Sequence, residues 1–176
     1  YNLSLETGSY VLGHLPQDKY QPIDILIDRA GVWHKNGVAF EPEEIADHVD
    51  VVFNALHGVD GEDGRIQKFL EDAGVPFVGS DSLSSKLTGM KHAAKDRLKA
   101  IGYHTPKYKL LQGLFHIGTD AQKLDHIRRK AMEVFRVMPG PWIVKPILGS
   151  ASTHTYLVTT FAELVSTLRY LSDIFE

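Results

Sequence analysis

One segment limits the fold of this chain more than any other. Between residues 51 and 78 an apolar run, a glycine-rich loop, an amphipathic stretch and a second apolar run follow one another. Val51 to Ala55 predicts a buried strand, and the apolar positions of 66–73 share one face of a predicted helix. Gly74 is typical of a helix end, and 75–78 predicts a short strand. Strands and helices alternate to about residue 110, which favours an open, mostly parallel α/β sheet.

Other local signals agree with this α/β pattern. Asn36-Gly37 is a strong tight-turn signal between two short apolar runs, so a hairpin is predicted there. Pro42 and the acidic residues after it predict the first turn of a short helix. Residues 82–101 have a helical pattern that Gly89 interrupts, and residues 108–111 predict a further strand.

A second unit is predicted after a boundary near residues 108–119. An apolar stripe at helical spacing runs through 124–138 and predicts a long helix. Residues 142–146 predict a strand, with a hairpin partner at 155–158. The segment Thr160-Phe-Ala-Glu163 is a capping-box pattern, which predicts the start of another helix.

Composition excludes several classes of site and partner. None of the 176 residues is cysteine, which excludes disulfides, thiolate metal sites and cysteine nucleophiles and fits a reducing cytoplasm. The formal net charge of -3 gives no electrostatic footprint for nucleic acid. No apolar run approaches the roughly 20 residues that span a bilayer, so no membrane partner is expected. The chain begins at Tyr1, has its first methionine at Met90 and stops just after a predicted helix, so we expect a piece of a longer protein.

The glycine-rich loop, residues 57–64, holds one histidine, three acidic residues and three glycines. Ligands of open α/β sheets lie beyond the carboxyl ends of the strands, which is where this loop falls. Its glycines would let the backbone approach a ligand, and the helix that starts after Gly64 would favour an anion. His57 could donate to a carboxylate or orient one. A solvated turn is the alternative interpretation, since Asp-Gly pairs are common in turns.

Lys145 is a second candidate for ligand binding. It lies in an otherwise apolar strand pattern, where a charged ammonium needs a partner such as a phosphate. Alternatively, Lys145 ends the strand and its ammonium reaches water. The small and hydroxyl-bearing residues 149–153 could wrap phosphate oxygens, or they could form a simple hairpin loop. The nine histidines are scattered and have no metal-binding spacing.

Four stretches in this order resemble D-alanine–D-alanine ligase, a family of the ATP-grasp superfamily. They are NLSLETG, ALHGVDGEDGRIQKFLEDAGVPFVGSD, SSKLTGMKHAAKDRLKAIGYHTPKY and PWIVKP, and the second is the most specific. The resemblance covers nearly the whole chain. It implies an N-terminal ligase-like domain over 1–106 and part of the central ATP-grasp domain over 107–176. It also implies that a third part, with the magnesium ligands, lies outside this chain.

The resemblance implies a reaction as well. In the family, ATP phosphorylates the carboxylate of one D-alanine, and the amine of a second D-alanine attacks the acyl phosphate. The product is the dipeptide used in peptidoglycan. ATP and Mg²⁺ would be the cofactors, because cations beside the phosphates stabilise the charge that develops there. Family members are often homodimers through the N-terminal region, so a homodimer is a further implied partner.

By position, the resemblance implies roles for particular residues. The pocket of the first D-alanine would be formed by four of them: Ser4, His57, Gly58 and Glu62. Lys145 would touch the ATP phosphates, and Ser152 would lie in the loop that folds over them. No catalytic residue and no metal ligand is assigned within this chain.

Three positions depart from the family pattern. Asn2 replaces a glutamate that holds the substrate ammonium. His92 replaces a phosphate-binding lysine, and by its position it is a third predicted ATP-binding residue. Ala151 replaces a serine of the family's glycine-rich loop, in which two glycines are also lost. Residues other than glycine adopt a positive φ only at a cost, which bears on the two lost glycines. The loss of the glutamate at Asn2 together with the loop serine at Ala151 indicates relaxed constraint or altered function.

Four functional interpretations stand at this point. The chain is a fragment of an ATP-dependent D-alanine–D-alanine ligase, inactive by itself. Alternatively, it is a non-catalytic relative that binds nucleotide or an amino acid. It could also belong to an ATP-grasp ligase with another substrate, or be an unrelated α/β binding domain. The first interpretation is the prediction taken forward.

Overall fold

The computed structural model describes residues 1–113 and 118–175. The chain divides into two compact units, Tyr1–Ala94 and Lys95–Glu176, and each has a hydrophobic core of its own. The predicted α/β class is confirmed, with a parallel strand pair in the first unit. None of the helices in the described ranges is long and apolar enough to cross a membrane.

The first unit contains both helices and strands. In order they are α1 (Asn2–His14), β1 (Ile25–Ile27), β2 (Trp33–Lys35), β3 (Val38–Phe40), a 3₁₀ helix (Pro42–Asp47), β4 (Val52–Phe53), α2 (Arg65–Asp72), β5 (Phe77–Val78) and α3 (Ser82–Gly89). The next helix, α4 (Lys91–Ala100), begins in the first unit and ends in the second. β4 and β5 pair in parallel, with Val52 opposite Phe77. A parallel pair needs a crossover connection, and α2 supplies it, as the sequence of 51–78 predicts.

The predicted hairpin forms between β2 and β3. Asn36 and Gly37 at its turn have φ angles of 49° and 84°, the backbone of a type I′ turn. β1 pairs with β2 in the antiparallel direction, so β1, β2 and β3 form a meander. Ile45, Leu70 and Val75 are buried at the centre of this unit's core, with side chains of the meander and the parallel pair packed around them.

Local contacts determine where α3 begins and ends. The carboxylate of Asp81 accepts a 2.7 Å hydrogen bond from the backbone N–H of Ser84, and this bond lowers the pKa of Asp81. Glu71 at the end of α2 accepts a 2.8 Å hydrogen bond from the backbone N–H of Ser82, which ties α2 to α3. The predicted interruption at Gly89 is confirmed, because α3 ends there and α4 begins at Lys91.

The second unit packs two helices against a hairpin. Its elements are α5 (Asp120–Val137), β6 (Trp142–Val144), β7 (Tyr156–Val158) and α6 (Phe161–Ile174). β6 and β7 are antiparallel, as predicted. Ile127, Trp142 and Leu164 bring α5, β6 and α6 together in the buried core. α6 begins with the predicted capping box, in which Thr160 and Glu163 bond to each other's backbone N–H groups.

The predicted strand at 108–111 is wrong. This segment has no strand ladder. Instead, the hydroxyl of Tyr108 donates a 2.7 Å hydrogen bond to Asp96, and the ammonium of Lys95 lies 5.4 Å from the centre of the tyrosine ring. An apolar run becomes a strand only where another strand pairs with it, and side-chain contacts to α4 hold this segment instead.

Candidate functional site

The loop between β4 and α2 leaves the carboxyl end of the parallel pair and is the candidate site. The side chain of Asn54 makes two hydrogen bonds to the backbone of this loop. Its amide donates to the carbonyl of Gly61 at 2.9 Å, and its oxygen accepts from the backbone N–H of Leu56 at 3.0 Å. A Cβ at Gly61 would overlap Leu56, so glycine is required for this close approach.

A second amide group strengthens the same contact. Gln67 of α2 is buried, and its Nε2 donates to the carbonyl of Gly61 at 2.8 Å. Two amides therefore converge on one backbone oxygen and fix the shape of the loop. The Oε1 atom of Gln67 is buried without a hydrogen-bond partner among the described residues.

His57, the first residue of the glycine-rich loop, is held by three side chains. Its backbone N–H donates to Oγ of Ser4 at 3.1 Å. Its ring Nδ1 lies 3.2 Å from Oε1 of Glu62, and its Nε2 lies 2.9 Å from Oγ1 of Thr7. Ser4 and Thr7 are three residues apart on α1 and so share a helix face. The structure thus brings together three residues of the predicted substrate pocket, Ser4, His57 and Glu62.

Gly58, the fourth residue of that pocket, turns the chain between His57 and Glu62. Its φ of 84° is in the left-handed region that favours glycine. Its carbonyl accepts a 2.9 Å hydrogen bond from the backbone N–H of Glu62. This closed turn carries Glu62 back to the imidazole of His57.

The three acidic residues of the loop have different partners. Oδ1 of Asp60 lies 2.6 Å from Nη1 of Arg65, and Oδ2 of Asp63 lies 3.3 Å from Nε of the same guanidinium. Asp63 also accepts from the backbone N–H of Arg65 at 3.2 Å. The anion expected at the start of α2 is therefore supplied by the chain itself. Glu62 faces the imidazole of His57 instead, and 42% of its side chain is exposed.

Lys145 and Ser152 lie in the second unit. β6 ends at Val144, so Lys145 is the first residue beyond the strand, and it is exposed. This exposure agrees with the alternative in which its ammonium reaches water, and it does not test the phosphate role of Lys145. Ser152 is also exposed, in the loop between β6 and β7.

The backbone of the β6–β7 loop is unusual. Ala151, Ser152 and His154 have φ angles of 53°, 57° and 54°. A residue with a Cβ pays a conformational cost of roughly 1–2 kcal/mol when its φ lies in this left-handed region. The sequence departs from the family's glycines in this same loop.

His92 lies in the first turns of α4 and is partly buried. Its Nδ1 atom is buried with no hydrogen-bond partner in the part of the chain that the structure describes. Across residues 1–113 and 118–175, no three His, Asp or Glu side chains are grouped so that they could hold a metal ion. The ligand roles of His92, Lys145 and Ser152 stay predictions.

Sequence reasoning missed two residues of the site, Thr7 and Asn54. Thr7 stands three residues after Ser4, a spacing that places both hydroxyls on one face once the segment is known to be helical. Asn54 directly follows the predicted strand, where an asparagine side chain often bonds to the backbone two residues on. Both signals were present in the printed sequence, but neither indicates which atom the side chain contacts.

Comparisons with known proteins agree on one family. Residues 34–80 match the family described as D-ala D-ala ligase N-terminus, and this range includes β4, the loop between β4 and α2, and β5. D-alanine–D-alanine ligase A from Bacillus cereus is 30% identical over 166 residues, covering 94% of this chain and 48% of that protein. The chain thus spans about half the length of this curated relative.

Two solved structures have a similar fold. The D-alanine–D-alanine ligase from Coxiella burnetii aligns with a TM-score of 0.73 at 22% identity, covering 96% of this chain and 55% of that one. The D-alanine–D-alanine ligase from Bacillus anthracis, solved in complex with ATP, aligns with a TM-score of 0.70 at 27% identity. That alignment covers 98% of this chain and 50% of that one.

Proposed function

Because this chain belongs to the D-alanine–D-alanine ligase family, we propose that it is part of an ATP-dependent ligase that joins two D-alanines. In this proposal 1–106 is the N-terminal domain and 107–176 is part of the central ATP-grasp domain. The observation that carries the proposal is the set of contacts around His57. Ser4 from α1 and Glu62 from the loop meet this histidine within hydrogen-bond distance at the carboxyl end of β4.

The first unit would hold the first D-alanine. We assign the wall of its pocket to Ser4, His57, Gly58 and Glu62. A zwitterionic amino acid presents one ammonium and one carboxylate, so its pocket needs an anion and hydrogen-bond donors at fixed positions. The contacts of Asn54 and Gln67 to the carbonyl of Gly61 would keep this wall in shape before the ligand arrives.

The second unit and α4 would contact ATP. Lys145 offers an exposed ammonium, which suits a phosphate as a point charge, and Ser152 offers a hydroxyl from the β6–β7 loop. His92 occupies the position of the family's second phosphate-binding cation. The ATP complex of the Bacillus anthracis ligase supports ATP as the nucleotide.

The chemistry of the proposal proceeds in two steps. An oxygen of the first D-alanine's carboxylate forms a bond to the γ-phosphorus of ATP, and ADP leaves. The amine of the second D-alanine, after losing a proton, attacks the carbonyl carbon, and phosphate leaves. The first step brings two anions together, so a cation such as Lys145 would lower its barrier electrostatically. Mg²⁺ would neutralise phosphate charge when bound, and we assign none of its ligands to the described residues. The proposal also includes that the ligase is cytoplasmic and forms a homodimer.

The natural gene product tests this function. We expect an immunoblot or intact mass well above 19.7 kDa. We also expect that whole product to release phosphate from ATP when D-alanine is added and not when L-alanine is added. A product that binds Mg-ATP but releases no phosphate with D-alanine would overturn the ligase proposal.

The β6–β7 loop favours one second candidate function. Ala151, Ser152 and His154 adopt left-handed backbone without glycine, in a loop that would have to close over phosphates. A non-catalytic relative that binds nucleotide or an amino acid fits this observation. Isothermal titration of the whole product with Mg-ATP, combined with the phosphate assay, distinguishes the two functions.

A further inference from the structure

Both ring nitrogens of His57 are engaged inside the protein. Nδ1 faces Oε1 of Glu62 at 3.2 Å, and Nε2 faces Oγ1 of Thr7 at 2.9 Å. An ionised carboxylate only accepts hydrogen bonds, so Nδ1 carries the proton. In the neutral imidazole Nε2 is then an acceptor, and the hydroxyl of Thr7 donates to it. Neither nitrogen is left to bind a ligand.

We propose that Thr7 is a positioning residue of this site. Its hydroxyl donates to Nε2 of His57, holds the ring with Nδ1–H toward Glu62, and leaves the Glu62 carboxylate as the group that receives a ligand's ammonium. The ligand class is an amino acid, and this part of the inference rests on the proposed function. His57 then acts through Glu62 and does not touch the ligand with its ring nitrogens.

The charges in the loop indicate why Glu62 receives the ammonium. Asp60 and Asp63 both pair with the guanidinium of Arg65, so their charges are partly neutralised. Among the described residues, Glu62 has no guanidinium partner, and its one recorded side-chain contact is with ring Nδ1 of His57. Its Oε2 makes no hydrogen bond to any described residue, and the side chain is 42% exposed. At Asn2, where the family has an acid, this chain has no charge to offer.

The position of Thr7 on α1 explains how it can orient the ring. A threonine in a helix has two main χ1 rotamers, and here Thr7 has the one that places Oγ1 2.9 Å from Nε2 of His57. Ser4, on the same helix face, accepts from the backbone N–H of His57 at 3.1 Å. One residue of α1 therefore fixes the backbone of His57 and the other fixes its ring.

Nitrogen resonances of His57 test the role of Thr7 without any ligand. In the ¹⁵N-labelled chain at about pH 8.5, where ordinary imidazoles are neutral, we expect a protonated Nδ1 and an unprotonated, hydrogen-bonded Nε2. Thr7→Val keeps the shape of the side chain and removes its hydroxyl, so the Nε2 resonance of His57 should move toward that of an acceptor nitrogen without a hydrogen bond. Thr7→Ser restores the hydroxyl and should restore the resonance. His57→Asn identifies the signals by their loss.

Two results would overturn this part of the proposal. One is a wild-type His57 that is protonated at Nε2 and not at Nδ1. The other is an Nε2 resonance that is the same in wild type and Thr7→Val, because a purely structural threonine would leave the nitrogen unchanged.

Titration with D-alanine tests the role of Glu62. Glu62→Gln keeps a hydrogen-bond acceptor for His57 and removes the charge, so it should weaken D-alanine binding about tenfold or more. Thr7→Val should weaken it by about threefold to tenfold, and Thr7→Ser should bind like wild type. Propionate, which lacks the ammonium, should bind Glu62→Gln at least as tightly as wild type, because the variant removes a negative charge near an anion.

The two experiments separate the two proposals. If D-alanine shifts no resonance of the wild-type chain, the ligand role of Glu62 fails together with the proposed pocket. The nitrogen resonances still test the role of Thr7, since they are recorded without ligand. Equal D-alanine affinity in wild type and Glu62→Gln would refute the ammonium contact alone.

Discussion

Replacing Gly64 with alanine should strongly destabilise the first unit. Gly64 lies between the candidate loop and α2 with a φ of 92°, a conformation that L side chains rarely adopt. An added Cβ would also overlap the backbone carbonyl oxygen of Ser82 and press on Lys86. Because that oxygen belongs to the first turn of α3, the overlap is relieved only if α2 and α3 move apart.

Two costs add in this variant. The left-handed backbone costs roughly 1–2 kcal/mol, and forced repacking costs about 1–3 kcal/mol. The free energy of unfolding should therefore fall by about 2–5 kcal/mol. Gly74→Ala is the matched control, because Gly74 has a φ of 69° but no atom within 4 Å of an added Cβ. The free energy of unfolding of Gly74→Ala should fall only by the cost of a left-handed backbone, roughly 1–2 kcal/mol.

Urea unfolding followed by the fluorescence of Trp33 measures both variants. Trp33 lies in the core of the first unit, with its ring centre 5.4 Å from that of Phe69 in α2. The chain has one other tryptophan, Trp142, and a Trp142→Phe background removes its signal from the second unit. Equal losses of stability in Gly64→Ala and Gly74→Ala would refute the steric reasoning.

Three further changes test the second unit. Ile127→Ala removes a fully buried side chain of α5, so the free energy of unfolding should fall by about 2–5 kcal/mol, read from the fluorescence of Trp142 in the same core. Ala151→Gly relieves a positive φ and should raise the free energy of unfolding by about 0.5–1 kcal/mol, measured as a higher urea midpoint. The backbone N–H of Thr159 lowers the pKa of Glu163 below its ordinary 4.5. The stability from this carboxylate is therefore present above the ordinary pKa and lost as pH falls through the lowered one. Glu163→Gln should remove that acid-dependent loss, which is checked by comparing urea midpoints of the two proteins from about pH 6 to pH 3.

Elements with local causes could be predicted well from the sequence. The Asn36-Gly37 turn, α2 and the capping box of α6 each depend on residues within a few positions of one another, and all three are confirmed. The segment 108–111 shows where prediction from the local sequence fails. Its apolar pattern permits a strand, but only a partner strand elsewhere in the chain would have made it one.

In the candidate site too, contacts within one loop could be predicted from the sequence, and contacts between distant residues could not. His57, Gly58 and Glu62 lie in one loop, so their proximity followed from the sequence. Thr7 contacts His57 across 50 positions of the chain, and no local pattern indicates that contact. The exposure of Lys145 was likewise decided by where β6 ends.

By itself, the sequence determined the strand–loop–helix–strand order, the turns that glycine and asparagine allow, and the resemblance to one ligase family. Only the tertiary structure decided which acids of the loop pair with Arg65 and which side chains face the two ring nitrogens of His57. The physical reason is distance. Propensities, caps and turns act between neighbours along the chain, whereas charge pairing and hydrogen bonding depend on separations of about 3 Å between atoms that the fold alone brings together.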